Sequence, residues 1–239
     1  MSGFATHLWP LLVGNPLIWL ALTLGGYLAG RALQNSSGGV PFVNPVLVAI
    51  AVVMAALAAT GTSYRTYFAG AQLIHFLLGP ATIALAVPLA RHFALIRDNL
   101  RSVGLALLAG SASAIISSVA IVHLCGGPHV IALSMAPKAA TTPIAMAVSK
   151  QIGGMPELTA SVAILGGITA AIAGQWMLKM LAISDWRAQG LAAGVAGSGI
   201  AAAHVAARNE TGAAFAAIGV GMNGLLTALL VPLLVALWH

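Results

Sequence analysis

The chain has 239 residues, of which 60% are hydrophobic and only 6% are charged. Soluble domains carry about 25% charged residues, so this composition excludes a soluble protein and predicts an all-α polytopic membrane protein in a lipid bilayer. The net charge is +6, but the basic residues stand singly or in small groups at segment ends, where they orient a membrane chain. We therefore predict no nucleic-acid partner.

Eight segments approach the roughly 20 apolar residues that span a bilayer. In chain order they are residues 11–31, 43–60, 67–91, 99–122, 128–150, 157–181, 188–208 and 212–237. No polar stretch between them is long enough for a soluble domain, so residues 1–239 are predicted to form a single integral membrane domain. The start of the chain lacks the basic region and cleavage site of a secretory signal, and we expect it to be retained.

Three of these segments are interrupted by helix-breaking or charged residues, whereas the others read as continuous helices. The interrupting residues are Gly79, Pro80 and Pro88 in the first, Pro137, Lys138 and Pro143 in the second, and Gly194, Gly197 and Gly199 in the third. The interrupted segments recur about every 60 residues, and each is followed by a smoother one, which predicts a repeated unit. Broken helices at corresponding places in repeats indicate a transport site.

The basic residues allow two arrangements of the interrupted segments. If all eight segments cross the membrane, these residues divide six against three. If the interrupted segments are re-entrant, five helices cross and the division becomes seven against two, with Arg65, Arg91, Arg97, Arg101, Lys179, Arg187 and Arg208 facing Arg31 and Lys150. The second arrangement agrees better with the positive-inside rule. We therefore favour re-entrant segments, inverted repeats and a cytoplasmic position for residues 91–101.

Lys138 is the main candidate for ligand binding, because it lies in the middle of an apolar segment. A lysine at the bilayer centre costs about 2.5–3.5 kcal/mol, and irregular backbone at that depth persists only inside the protein or beside a wet cavity. Thr141 and Thr142 add hydroxyl groups, and the residues after Pro143 can begin a half-helix whose N-terminus favours negative charge. This pattern predicts an anionic ligand. The alternatives are that the lysine extends to the interface and that the threonines satisfy backbone groups freed by the proline.

Five other polar residues are further candidates for ligand contact: Asn44, Thr82, Ser198, His204 and Asn223. Thr82 follows a Gly-Pro pair and Ser198 lies between two glycines. Asn44 precedes a proline, which favours a helix cap over ligand binding. His204 could accept a proton, contact the ligand or sit at a helix end. An intramembrane asparagine such as Asn223 more often bonds across helices than binds a substrate.

Metal and enzyme chemistry have little support in the sequence. Cys125 is the single cysteine, and His123 and His129 have no carboxylate beside them, so we predict no metal and no cofactor. Ser134 and Lys138 are four residues apart and could form a nucleophile and base on one helix face. A proline lies between them, and no second cluster supplies an oxyanion hole. We predict that the chain is not an enzyme.

The interrupted segments carry motifs that resemble a known family. The most specific motif is Pro137-Lys138 with Thr141-Thr-Pro-Ile-Ala-Met-Ala-Val148, Ile152-Gly-Gly154 and Pro156. Further motifs are Asn44-Pro45 with Leu47-Val-Ala49, Ser63-Tyr64, Tyr67-Phe68, and Pro80 followed by Ala84-Leu-Ala86 and Pro88-Leu89. With these residues the chain resembles the LrgB/CidB family over nearly its whole length. That family includes the C-terminal half of the plastid glycolate/glycerate transporter.

The resemblance implies a protein of the bacterial inner membrane that moves small monocarboxylates, such as glycolate, glycerate or pyruvate, by alternating access. It also implies an alternative, because bacterial members are described as modulators of murein hydrolase export and autolysis. Such members work beside a small holin-like membrane protein of the LrgA/CidA type. A homodimer is a further expectation, since symmetric dimers are common among assemblies.

The third interrupted segment departs from the family pattern. Ser198 stands where the family often has a histidine, and His204 stands where it has an arginine. An acidic position in the following motif is Gly212 here. These differences weaken the transfer of a family role to Ser198 and His204.

Overall fold

The computed structural model of the chain describes residues 15–37, 43–84 and 99–238, with the single positions 90, 94 and 97. This described part is built from α-helices joined by short turns and contains no β-strand. The chain divides into two compact units, Met1–Ala84 and Leu85–His239. The predicted all-α fold is confirmed. The single domain over residues 1–239 stays a prediction.

Asparagine–proline pairs begin the first two helices of the first unit. Its helices are α1 Pro16–Ser36, α2 Pro45–Thr60 and α3 Tyr64–Ala84. The side chain of Asn15 accepts from the N–H of Leu17 at 3.0 Å, and that of Asn44 accepts from the N–H of Val46 at 2.8 Å. Proline suits the first helical position because its missing N–H has no acceptor there, and the asparagine satisfies one of the remaining free amides.

The helix break predicted at Gly79-Pro80 is wrong. α3 continues through Pro80 and ends at Ala84. A proline inside a helix removes one backbone hydrogen bond and strains the preceding turn, at a cost of about 3 kcal/mol. The remaining hydrogen bonds of the helix still hold its course, so a single proline need not end it. Pro88, the second interruption predicted in this segment, lies outside the described residues.

The second unit alternates long helices with interrupted ones, as the repeat predicted. Its helices are α4 Leu100–Leu124, α5 His129–Met135, α6 Thr142–Gln151, α7 Pro156–Met180, α8 Trp186–Ala206 and α9 Glu210–Trp238.

Four helices of the described part are long and apolar enough to cross a bilayer, namely α1, α4, α7 and residues Glu210–Ala236 of α9. α2 is a shorter apolar helix of 16 residues. These five match the five segments that were predicted to cross without interruption. Many large apolar side chains on them face outwards, including Leu105 and Leu165, which are 70% and 58% exposed. The chain is therefore a polytopic membrane protein.

Residues 129–151 form a re-entrant hairpin, here called hairpin A, in which α5 enters, residues 136–141 form the tip and α6 returns. The Thr159 hydroxyl in α7 lies 2.8 Å from the carbonyl oxygen of Ser134 in α5 and 2.7 Å from the hydroxyl of Ser149 in α6. Because both serines lie beside one residue of α7, the chain has turned back between them. The interruption predicted from Pro137 and Pro143 is confirmed.

α8 is a second re-entrant hairpin, here called hairpin B (residues 186–206), whose tip is Ser198. Ser198 has a non-helical backbone with φ 49° and ψ −141°. Gly190 in the first half and Val205 in the second half both pack against Gly212 of α9. In a straight helix these two residues would be about 22 Å apart. The chain therefore reverses at Ser198, and both ends of hairpin B lie at the start of α9.

The course of α7 shows that the two hairpins enter from opposite ends. Thr159 lies at the base of hairpin A. Gly167 lies beside the tip of hairpin B, where an added Cβ would be 3.1 Å from the carbonyl oxygen of Gly197. Gln175 accepts a hydrogen bond from Arg208, directly behind hairpin B. Thr159 and Gln175 are separated by about 24 Å of helix. The hairpins are therefore inverted and point towards each other, as the re-entrant arrangement predicted.

Hairpin B packs on α9 through glycines. We expect Gly219→Ala to push hairpin B away from α9. The added Cβ would lie 2.8 Å from the carbonyl oxygen of Leu191 and 3.0 Å from the Cα of Gly194. Backbone atoms cannot rotate away as a flexible side chain can, so the helices must shift. Overpacking of this kind costs about 1–3 kcal/mol, and we expect a lower midpoint of thermal unfolding in detergent.

Gly221→Ala is the matched control for this prediction. Gly221 is two residues further along α9, and no described atom lies within 4 Å of the Cβ that alanine would add. Alanine has a higher helix propensity than glycine, so this variant should unfold at the parent temperature or slightly above it. Equal midpoints for both variants would contradict the close packing of hairpin B on α9.

Candidate functional site

The two hairpin tips meet at Asn223, near the middle of α9. The Nδ2 atom of Asn223 donates to the carbonyl oxygen of Ala139 in the tip of hairpin A at 2.9 Å and to that of Val195, one turn before Ser198, at 3.3 Å. Its Oδ1 atom accepts from the Ser111 hydroxyl of α4 at 2.6 Å. Asn223 is only 1% exposed. One buried side chain therefore joins both hairpins, α4 and α9.

Ser111 sets the orientation of the Asn223 amide. Because its hydroxyl donates to Oδ1, both N–H groups of Nδ2 remain for the two backbone carbonyls. Ser111 was not among the residues singled out in the sequence. α4 contains five serines, so a buried hydroxyl on this helix could be expected but not assigned to a position. The predicted preference of Asn223 for bonding across helices agrees with these contacts.

Asn223 donates to a backbone carbonyl group in or near each hairpin tip. In a regular helix the Val195 carbonyl accepts from the N–H of Gly199, the residue directly after Ser198. Ala139 lies beyond the end of α5, in the tip of hairpin A. An unpaired buried carbonyl costs about 1–3 kcal/mol, so the asparagine stabilises both tips. Asn223 thereby satisfies one carbonyl at the end of the first half of hairpin B and one in the tip of hairpin A.

Lys138, Thr141 and Thr142 lie in or directly behind the tip of hairpin A. Lys138 precedes Ala139, is half-buried, and forms no ion pair with any residue of the described ranges. Thr141 is the N-cap of α6, but its hydroxyl makes no capping hydrogen bond. Its Oγ1 atom is buried and has no hydrogen-bond partner among the described residues. These three residues are sequence neighbours of Ala139, whose carbonyl accepts from Asn223.

The start of α6 adds a partial positive charge to this tip. The first amides of a helix have no acceptor in the preceding turn, and together they carry the positive end of the helix dipole. Thr142 and Pro143 are the first residues of α6, and the proline has no N–H. The side chain of Thr141 leaves the remaining amides uncapped. A lysine, a free hydroxyl and a helix N-terminus all favour an anion.

Ser198 and His204 occupy different parts of hairpin B. Ser198 is its tip, and a φ of 49° is strained for a residue other than glycine. Ser198 follows Val195, whose carbonyl accepts from Asn223, by three residues. His204 lies further towards the base, and its Nε2 atom is buried without a hydrogen-bond partner in the part of the chain that the structure describes.

Asn44 and Thr82 belong to the first unit. Asn44 is 7% exposed and caps α2, which is the role that its position before a proline favoured. Thr82 lies in the last turns of α3, and its side chain is outside the described part. A ligand role for these two residues stays a prediction.

Ser134 and Thr159 form a buried hydroxyl cluster that joins hairpin A to α7. The Ser134 hydroxyl donates to the carbonyl of Val130 at 2.7 Å and accepts from the N–H of Met155 at 2.8 Å. No hydrogen bond between Ser134 and Lys138 is found among the described residues. Within the same ranges, no three histidine, cysteine, aspartate or glutamate side chains lie close enough to hold a metal.

Comparison with known proteins identifies the family. The model of a family described as the LrgB-like family matches residues 23–237. The chain belongs to the LrgB-like family. No solved structure matches it.

Several curated relatives of the LrgB-like family align along almost the whole chain. An antiholin-like protein LrgB of Bacillus subtilis (strain 168) is 34% identical, covering 93% of this chain and 96% of the relative. An uncharacterized protein YxaC of the same strain is 30% identical, with the same coverage. An antiholin-like protein LrgB of Bacillus cereus (strain B4264) is 30% identical over 92% of this chain and 95% of the relative. The resemblance seen in the sequence motifs is confirmed.

Proposed function

We propose that this LrgB-like protein transports small monocarboxylates, such as glycolate, glycerate or pyruvate, across the bacterial inner membrane by alternating access. The observation that carries the proposal is the meeting of two inverted hairpin tips at Asn223, beside a lysine that has no ion-pair partner among the described residues. Interrupted helices of opposite orientation form the substrate sites of many secondary transporters. The proposal includes no enzymatic activity, since the Ser134 hydroxyl is engaged in backbone hydrogen bonds.

The positive charge of Lys138 and of the start of α6 favours a carboxylate as substrate. Asn223 is bonded to one carbonyl near each hairpin tip, whereas α6 starts uncapped beside Thr141. An ammonium and a carboxylate about 4 Å apart attract by about 4 kcal/mol at an effective dielectric constant near 20. This attraction is of the same size as the roughly 2.5–3.5 kcal/mol that a lysine costs at the bilayer centre, so a bound carboxylate offsets that cost. Lys138 would neutralise the carboxylate, and the hydroxyls of Thr141 and Thr142 would bond it.

The length of hairpin A places the site at a depth in the bilayer that suits transport. α6 has 10 residues and is therefore about 15 Å long, which is half of the roughly 30 Å hydrocarbon layer. A hairpin of this length places its tip near the middle of the bilayer. A solute bound between two opposed tips is reached from one side when one hairpin moves and from the other side when the second moves. Ser198 would contribute from the opposite hairpin.

The test is uptake of labelled glycolate, glycerate and pyruvate into proteoliposomes that contain the purified protein. We expect uptake of at least one of the three to saturate and to be reduced by excess unlabelled substrate. Protein-free liposomes and release of a trapped uncharged dye serve as controls for leak. Uptake that rises linearly with concentration for all three acids, at the rate of empty liposomes, would contradict the transport proposal.

A second candidate function rests on the names of the relatives. Several are named antiholin-like, which favours a protein that acts with a small LrgA/CidA-like membrane partner to modulate murein hydrolase export and autolysis. This function predicts co-purification with such a partner, altered lysis of the cell and no saturable uptake in the same proteoliposomes. A homodimer is compatible with either function and would be measured by the mass of the purified protein in detergent.

A further inference from the structure

A cavity of about 440 Å³ lies at the base of hairpin B. Its walls come from the end of α7, from the turn at residues 182–184, from the start of hairpin B and from Arg208, two residues after hairpin B ends. Lys179 and Arg208 line it together with the amide side chains of Gln175 and Gln189. Volumes between about 300 and 1,000 Å³ are typical of small-molecule sites. The cavity is separate from Asn223 and from the hairpin tips.

The cavity is cationic, and none of the described residues that line it is acidic. Arg208 donates to the neutral side-chain oxygen of Gln175, and its guanidinium carries further N–H groups. Lys179 forms no ion pair with a residue in the described ranges. Asp185 is close in sequence but pairs with Arg187 at 3.0 Å. The hydrogen bond from Arg187 holds the pKa of the Asp185 carboxyl below its ordinary value, so this carboxylate stays ionised and paired.

The surroundings of the cavity are apolar and exposed. Leu178 and Trp186 form part of its wall. Beside it, Trp176 is 65% exposed, and Met180 and Leu181 are each 66% exposed. Tryptophan and long apolar side chains at the end of a spanning helix are typical of the membrane interface. A ligand with a charged head and an apolar tail fits both parts of this surface.

The charges also indicate which leaflet the cavity faces. Lys179 and Arg208 line one cavity, which places them together at the end of α7. Lys150 lies in the last turn of α6, at the base of the opposed hairpin A. The positive-inside rule assigns the more basic end to the cytoplasm. The cytoplasmic leaflet carries the anionic lipids, which attract basic residues by about 1 kcal/mol each.

We infer that this cavity binds the phosphate headgroup of an anionic membrane lipid between Lys179 and Arg208, with the acyl chains along the exposed apolar side of α7. The inference is independent of the transported solute. Because the cavity is built from the end of α7, the start of hairpin B and the turn that follows hairpin B, a bound headgroup joins these three parts. The lipid therefore stabilises the base of hairpin B, opposite to its tip.

The test is lipid retention by the full-length protein in mild detergent, measured by native mass spectrometry with phosphatidylglycerol and phosphatidylcholine as probes. We expect the parent to retain phosphatidylglycerol in preference to phosphatidylcholine. Lys179→Gln and Arg208→Gln should each weaken phosphatidylglycerol binding about fivefold, and the double variant about 25-fold. Arg187→Gln is the matched control, because Arg187 is an exposed neighbouring cation that is paired with Asp185 and does not line the cavity.

Two further measurements distinguish a lipid headgroup from a soluble anion and keep the test valid if a variant misfolds. Inorganic phosphate at millimolar concentration should not displace the lipid, and displacement would show a site for a soluble anion and overturn the inference. Lys179→Gln leaves the bond between Arg208 and Gln175 intact, so it carries the test if the Arg208 variants unfold. Phosphatidylglycerol binding by Lys179→Gln at parent strength, or loss of the same size in Arg187→Gln, would also overturn it.

Discussion

Asn223→Leu is expected to lower the free energy of unfolding by roughly 2–4 kcal/mol and to abolish saturable carboxylate uptake. The change leaves the hydroxyl of Ser111 and the carbonyls of Ala139 and Val195 without their partner in a buried site. Hydrogen bonds inside membrane proteins contribute about 0.6–2 kcal/mol each, and three are lost together. Uptake fails because the tips of hairpins A and B are no longer held at one point. Thermal unfolding in detergent and uptake into proteoliposomes measure the two effects.

Three companion variants identify the groups that matter. Asn223→Asp keeps the shape and the acceptor for Ser111 but cannot donate to the carbonyls, so it should resemble Asn223→Leu. Ser111→Ala removes a single hydrogen bond and should cost about 1 kcal/mol. Met222→Leu changes the neighbouring, 39% exposed residue and should behave as the parent. Parent-like unfolding and uptake in Asn223→Leu would show that the tips are not held by this side chain.

Lys138→Ala is expected to raise the KM for the transported carboxylate roughly 10- to 100-fold, so that uptake no longer saturates in the usual concentration range. Loss of a hydrogen bond to a charged group costs about 1.5–3 kcal/mol, which corresponds to this factor. Stability should not fall, because Lys138 has no ion-pair partner among the described residues whose charge would be left behind. Lys138→Arg keeps the charge with a different donor geometry and should retain part of the uptake.

Lys150→Ala is the matched control for Lys138. Lys150 is an exposed lysine in the last turn of the same hairpin, at its base instead of its tip. Removing it lowers the net charge of the protein by the same amount. We expect its uptake kinetics to equal those of the parent. A KM that rises equally in both variants would assign the effect to net charge and remove Lys138 from the site.

Much of the architecture follows from local chemistry in the sequence. Two prolines and a lysine within an apolar stretch predicted the interruption between α5 and α6, because both residue types are costly in a plain membrane helix. Asparagine before proline predicted the cap of α2, since both residues suit the first turn. The distribution of basic residues favoured re-entrant segments, and the two hairpins of the second unit have that form.

Other features depend on contacts between distant parts of the chain. Pro80 looks like an interruption in the sequence, but α3 continues through it, because one missing hydrogen bond does not decide the course of a helix. The choice of Ser111 among the serines of α4 depends on which face meets Asn223, and that is set by how α4 packs in the fold. The reversal at Ser198 likewise depends on close packing of both halves of hairpin B against glycines of α9.

Binding of a carboxylate where the hairpin tips meet, beside Lys138, can be measured directly. Equilibrium binding of labelled glycolate to purified protein, with glycerate and pyruvate as competitors, tests it without the transport steps. We expect saturable binding to the parent and to Lys150→Ala, and binding at least 10-fold weaker to Lys138→Ala. Binding of equal affinity to the parent and to Lys138→Ala, in folded protein, would contradict it.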